Sequence, residues 1–370
     1  MPTPTPSLPS PRTWAADDLI TVPRLRADVT NAIAFLAQKP LFIGQNNAGS
    51  AWGAGADNSL PMPVELTDAW NAHVASTVAG SNNAQVWAQV PGWYLARAVI
   101  PVTYASATDS QFYAGFTWVA GGVTQTALRG PAYVSSNLNI GVQVTDLIQQ
   151  VNTGPVGGSG DWIAPTLYAG QAASLTATAG YWPLASVRWV CASPTVPVAV
   201  PPLTAVPSPI TSAWMNANVR DTIRFLCGPP ICRAVLTGSP TMANSSLTSP
   251  ATVPVNSVTV DNFSGFSTSA FAYTAPVAGR YFVYGQHNLA AATGTFSVAA
   301  GVSWNGTPQW GDMTEFSSSS GFGSGASFTR RMRLAAGDTI KLIGAQTSGS
   351  SVAYASGANQ SRLIVVWEGV

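Results

Sequence analysis

PITSAWMNANVRDTIRFLCGPP, residues Pro209 to Pro230, decides how the rest of the chain is read. A second stretch, LITVPRLRADVTNAIAFLAQKP from Leu19 to Pro40, lies over it at a constant offset of 190, with eight of 22 positions identical. The identities are Ile20/Ile210, Thr21/Thr211, Ala27/Ala217, Val29/Val219, Ile33/Ile223, Phe35/Phe225, Leu36/Leu226 and Pro40/Pro230. Leu25/Met215 and Asp28/Asn218 are mild mismatches at the same spacing. Self-similarity at a fixed offset marks an internal repeat. The chain therefore reads as two modules, each opened by the same element.

That element is a helix. Leu25, Val29, Ile33 and Leu36 recur at steps of 4, 4 and 3, as do Met215, Val219, Ile223 and Leu226. This is the 3.6-residue period of one apolar stripe, widened by Phe35 and Phe225. Thr21 and Thr211 stand at the N-cap, and Pro23 in the first turn costs no hydrogen bond. Pro40 and Gly228-Pro229-Pro230 end the two helices. The pattern predicts a helix from about Thr21 to Gln38. Its stripe packs either on its own module or on copies of itself in an oligomer.

Composition sets the frame. A chain of 370 residues exceeds what one core usually holds, so two domains are expected. Charged residues make up 8% and apolar ones 46%, with 13 tryptophans. Packed cores follow, under a surface of small neutral side chains that suits life against neighbours in an assembly. Net charge is +1 with no basic run, which disfavours nucleic acid as a partner. The start, MPTPTPSLPSPRTW, has no apolar region of the kind that signals secretion, and no run approaches a membrane span. Synthesis in a cytoplasm is the expectation. Cys191, Cys227 and Cys232 have neither redox nor zinc spacing and read as reduced, buried thiols.

In chain order, residues 1–18 form a Pro-rich arm, a tether suited to lying along a neighbouring subunit. The first helix occupies 19–40 and a β domain 41–192. A Pro-rich linker covers 193–208, the second helix 209–230 and the second β domain 231–370. Aromatic and β-branched runs such as 93–100 and 112–119, separated by turn residues, read as strands of a sandwich or barrel. The β regions also match each other. VPGWYL (90–95) lies over VAGRYF (277–282), AGFTW (114–118) over AGVSW (300–304), and YAGQAASL (168–175) over AAGDTIKL (335–342). The last match sets Gln171 against Asp338, and implies that the second module lost a loop of roughly twenty residues.

The second module carries APVAGRYFVYGQH, GVSWNG, FTRRMRLAAGDTIKLIGAQTSGSS and SRLIVVWEG in that order. It resembles the jelly roll of the complement-C1q and tumour-necrosis-factor superfamily over about residues 265–370. In that pattern a G-x-Y opens a central strand, a GD turn precedes another, and a hydrophobic strand closes the fold. The resemblance implies two tandem jelly-roll β-sandwiches, each preceded by one amphipathic α-helix, and a homotrimer. The helix element, ending in FL-x-x-x-P, is similar to a segment of minor tail and other structural proteins of bacteriophages infecting actinobacteria. That similarity implies a virion protein, on head or tail.

Chemistry is thinly represented. His73 and His287 lack a Cys or acidic neighbour at ligand spacing and read as structural. Gly157-Gly158-Ser159-Gly160-Asp161 fails as a nucleophile elbow, and the glycine runs at 53–55 and 321–325 lack a phosphate cradle's context. Asp17-Asp18 complement the first helix dipole, and Asp338 stabilises a turn. Arg331 and Arg333 share one face of a strand whose other face carries Phe328, Arg330 and Met332. That face either meets an anionic glycan or guards an edge with charge.

The sequence thus predicts a non-enzymatic virion structural protein without cofactor or metal, exposed on the particle exterior as a minor tail, tail-fibre or capsid decoration element. It trimerises through Leu25, Val29, Ile33, Leu36, Met215, Val219, Ile223 and Leu226, and meets other virion proteins through its arm. The rival expectation is a host-receptor or carbohydrate-binding module that uses Trp52, Trp162 and Trp310 at loop tips.

Overall fold

A computed structural model describes the chain apart from residues 1–8, 11, 17, 19–20, 26–28, 47–50, 53–54, 56, 69, 74–83, 126–127, 132, 155–158, 171–172, 175–182, 193–209, 292–295, 311–322 and 370. Within its helices and strands, the side chains at 22, 25, 51–52, 103–110, 133–141 and 173–174 are likewise outside the description. The linker at 193–208 and Gln171 fall in the omitted segments.

The second module is built of two layers. One layer has the strand order Ser257–Asp261, Ile231–Val235, Arg362–Gly369, Gly279–Leu289, Ser324–Leu334. The facing layer runs Phe266–Ser267, Ala272–Thr274, Thr339–Gln346, Val298–Trp304, Thr307–Trp310. The pairings between neighbours within each layer are antiparallel. Successive long strands alternate between layers, which is the double Greek key of a jelly roll. Alternate residues of each strand point inward, and Tyr273, Tyr281, Phe328 and Leu342 fill the space between layers at zero exposure.

The first module repeats this plan. Val64–Asp68, Leu41–Gln45, Leu184–Cys191, the first half of Gly92–Ala120 and Tyr133–Gln150 stand in the same order. The strand Gly92–Ala120 then crosses to the other layer, where residues 112–118 pair with Trp162–Ala169. In the second module the chain breaks at this crossing into Gly279–Leu289 and Val298–Trp304. Each module is thus a sandwich of its own, and the two share one topology.

Local details repeat with it. Both opening strands carry a bulge against their outer neighbour, between Ile43 and Gly44 and between Arg233 and Ala234. After each bulge an aspartate closes a turn. Asp68 accepts from the N–H groups of Ala72 (2.8 Å) and His73 (3.0 Å), and Asp261 from those of Gly265 (3.1 Å) and Phe266 (2.7 Å). Tyr94 donates its hydroxyl to the Val90 carbonyl at 2.7 Å, as Tyr281 does to Val277. Trp189 donates to the Pro91 carbonyl (3.2 Å), and Trp367 to Ala278 (3.3 Å).

The pairing corrects the third sequence match. Ile163 faces Trp118 as Ile340 faces Trp304, so Trp162–Ala169 is the counterpart of Thr339–Gln346. The turn aspartate equivalent to Asp338 is therefore Asp161, in the failed elbow, and not Gln171. Asp161 accepts four backbone N–H groups, from Gly121, Gly122, Val151 and Asn152. Burial alone would raise its pKa, but these four donors hold it below the ordinary aspartate value. The difference in length between the modules at this point is smaller than twenty residues, since the offset falls only from 186 (Trp118 to Trp304) to 177 (Ile163 to Ile340).

Each helix sits on its own sandwich. Thr211 accepts from the Trp214 N–H (3.2 Å) and Thr21 from the Arg24 N–H (3.4 Å), so both predicted caps form. The second helix runs Ser212–Met215, widens to a π turn over Asn216–Arg220, and continues as Asp221–Cys227. The first contains Val22–Leu25 and Asn31–Ala37. Phe35 meets Trp189 edge-on at 5.1 Å, and Phe225 meets Trp367 at 5.0 Å. The chain after each helix is tied down by the same bond, Trp189 N–H to Pro40 and Trp367 N–H to Pro230, both 2.9 Å.

Candidate functional site

The two sandwiches meet edge on face. The first module brings Leu147 on its edge strand, with Trp93, Leu95 and Val190 on the two strands beside it. The sheet face of the second receives them with Ile231, Phe282, Tyr284, Ile364 and Val366, every one at 5% exposure or less. Burying this many aliphatic and aromatic groups makes the contact a second core.

At its centre lies a charge cluster. Asp146, on the edge strand, pairs with Arg233 (2.5 Å) and with Arg362, and Asp146 and Arg362 are wholly buried. Burial alone would raise the Asp146 pKa, but the two guanidiniums hold it below the ordinary carboxylate value. Arg362 also donates to the Arg129 carbonyl, which accepts from Gln286 as well (3.1 Å). Gln143 reaches Ser327 at 2.8 Å, and Gln111 reaches the Gly323 carbonyl at 3.1 Å. Sequence reasoning missed all of these, because no local pattern distinguishes an aspartate that will meet arginines 87 and 216 positions away.

The contact is one-directional. The first module's own sheet face carries Ile43, Ser186 and Leu184 where the second has Arg233, Ile364 and Arg362. Leu184 is 40% exposed, whereas Arg362 is fully covered. An edge from one module on a face from the other is a heterologous interface, not a self-complementary one.

The helix stripe divides between inside and outside. Met215 and Ile223 are buried, and Val219 and Leu36 pack partly against the core. Val29 and Leu226 are half-buried, and the Leu25 side chain lies outside the description. Ile33, the repeat partner of buried Ile223, is 57% exposed. The arm also finds a place within the chain. The Trp14 N–H donates to Asn216 (2.8 Å), the Asn216 amide donates back to the Trp14 carbonyl (2.8 Å), and Arg220 reaches Thr13 (3.2 Å).

The three tryptophans do not sit at loop tips. Trp52 and Trp310 each end a strand and Trp162 begins one, with Trp162 paired to Trp87 in register. The Trp310 ring lies on its own sheet, 2.7 Å from where a Cβ on Gly301 would stand. Trp162 and Trp310 are half-buried, and the Trp52 side chain is outside the description.

His73 does have an acidic neighbour. Its Nδ1 stands 2.9 Å from Glu65, contrary to the expectation from spacing. His287 is fully buried and bonded to the Ala299 carbonyl at 3.1 Å, and burial pushes its pKa down to about 4. It stays neutral in the fold and out of reach of substrate. Cys191, Cys227 and Cys232 are buried and in no disulfide, with Cys227 pushed up to about 11 by burial. No helix among the described residues is long and apolar enough to cross a membrane.

No family model and no curated protein matches this chain. Among solved structures, it is similar to the globular domain of a zebrafish complement 1qA protein, at 13% identity over 37% of this chain and 96% of that one (TM-score 0.27). Murine APRIL at pH 8.5 is similar at 12% identity over 38% of this chain and 98% of that one (TM-score 0.29). Eiger TNF from S. frugiperda is similar at 14% identity, 38% and 94% coverage, and TM-score 0.29. The fold assignment rests on the strand order and register described above.

Proposed function

We propose that this chain is a structural protein on the exterior of a bacteriophage particle, a minor tail, tail-fibre or capsid decoration element, and that three chains associate through the first helix. The observation that carries the assembly is the contrast within the repeat. Ile223 is buried by its own chain, whereas Ile33 keeps the same residue type at 57% exposure, together with half-buried Val29 and Leu36. An exposed apolar group on an otherwise amphipathic helix fits a partner helix. Met215 and Ile223 then act inside the chain, and Val29, Ile33 and Leu36 between chains. The N-terminal arm serves contacts with other virion proteins. A surface with few charges and a helix similar to a phage tail segment support the particle assignment.

Light scattering on Ile33→Asp tests the assembly. The wild type is expected at three times the chain mass and the variant at one. A wild-type monomer, or a variant of unchanged mass, removes the helix interface. Immunogold labelling of intact particles tests the location, and unlabelled particles overturn it.

A further inference from the structure

The two copies of one surface have opposite chemistry. Strand register equates Trp93 with Arg280, Leu147 with Arg331 and Gln149 with Arg333. Trp93 faces Gln149 as Arg280 faces Arg333, and Leu95 faces Leu147 as Phe282 faces Arg331. Val190 and Glu368, each the unpaired residue of a bulge in the closing strand, correspond likewise. In the first module Trp93, Leu147 and Val190 are buried against the second. In the second module Arg280, Arg331 and Arg333 are exposed.

Arg280 and Arg333 are directly opposite across antiparallel strands, so their side chains leave the same face about 5 Å apart at Cβ. Like charges in that arrangement destabilise a sheet. Among the described residues, the one side-chain carboxylate there is already committed. Glu368 takes Arg331 at 2.8 Å and Arg188 of the first module at 2.5 Å. Burial alone would raise the Glu368 pKa, and the two arginines hold it below its ordinary value. Arg280 and Arg333 have no acidic partner among the described residues. In a chain with 16 cations among 370 residues, the cluster stands out from its surroundings.

We infer that Arg280, Arg331 and Arg333 form a binding face for a polyanionic chain with repeated oxyanions, phosphate or carboxylate. The paired guanidiniums present forked donors to successive anionic groups, and Arg331 extends the row by two residues along the strand. A cleft of about 310 Å³ lined by Ala278, Gly279, Arg333, Leu334 and Ala335 borders the face and gives the polymer backbone a bed. The reading is independent of where the protein sits in a particle.

The test is binding of the full chain to immobilised polyphosphate and poly-L-glutamate, with neutral dextran as control. Both polyanions are expected to bind at low salt and to be released at about 1 M salt, where the screening length is ~3 Å. Preference for one of them identifies phosphate or carboxylate as the natural group. Arg280→Gln/Arg333→Gln is expected to bind about tenfold more weakly, the scale of two exposed charge-assisted contacts. Arg280→Lys/Arg333→Lys keeps the charge and most of the affinity, and Arg224→Gln on the second helix binds like wild type. Circular dichroism of the glutamine variant should match wild type, since its substitutions relieve repulsion. Absence of wild-type binding, or undiminished binding by the glutamine variant, overturns the inference. So does a glutamine variant that self-associates while still binding, since the arginines would then serve to keep copies apart.

Discussion

Asp146 of the first sandwich and Arg362 of the second form an ion pair in which neither side chain has any solvent exposure. Arg233 completes the cluster at 7% side-chain exposure. Two charges of one sign share one carboxylate, so the group that must not be lost is the aspartate. Asp146→Ala is expected to lower stability by about 3–5 kcal/mol, because it leaves buried guanidiniums without a counter-charge. Urea denaturation measures the loss. Replacing all three residues together by Leu, Met and Leu should cost far less, and equal costs would show that the cluster's charge is immaterial.

The same aspartate sets an acid limit. Its folded pKa lies below the unfolded value, so its contribution is fully present above about pH 4 and is lost as pH falls through the folded value. Urea midpoints followed from pH 5 downward should drop more steeply in wild type than in the apolar triple variant.

His287 acts over a higher window. Its folded pKa is lowered to about 4 from 6.5, so the unfolded chain takes up a proton first as pH falls. Stability is complete above about pH 6.5 and declines toward pH 4, by about 3 kcal/mol across the interval. The imidazole C–H resonance of His287 should not titrate above pH 5. A midpoint near 6.5 would mean that the ring is hydrated.

Gly279 has φ +154°, and a Cβ there would come within 2.3 Å of the Trp367 indole nitrogen. Gly279→Ala must displace the indole from the Ala278 carbonyl or strain the backbone, at about 1–3 kcal/mol. Gly92, at φ +150° and 2.4 Å from the Trp189 nitrogen, should respond alike. A Tm change below 1 °C in both variants would show that the tryptophan clamp yields freely.

Ile223→Ala should cost about 2–5 kcal/mol by opening a cavity under the second helix. Ile33→Ala, at the same place in the first copy, should be nearly neutral in a dissociated chain. Thermal melts of the two variants at low protein concentration compare them directly.

Much of this architecture was legible in the sequence, for a reason tied to particular residues. The helices, their threonine caps and the aromatic Phe35 and Phe225 are local patterns, and a duplicated pattern is read twice. The strands around Tyr94 and Tyr281 were legible by alternation and by the glycine two residues earlier. What stayed hidden depends on contacts far apart in the chain. The apolar spacing of Ile33 and Ile223 is identical, yet only tertiary packing separates a buried side chain from an exposed one. By residue type Tyr168 to Leu175 matches Ala335 to Leu342, and only strand pairing makes Gly160-Asp161 the counterpart of Gly337-Asp338. Nothing near Asp146 announces Arg233 or Arg362.

The edge-on-face contact makes the two halves unequal. With Asp146 in one half and Arg233 and Arg362 in the other, neither holds a complete set of matching parts. A shortened gene encoding only the second half would leave two cations facing water on an apolar plain, and one encoding only the first would strand a lone anion. The two halves share one plan of strands, yet at this seam each supplies what the other lacks.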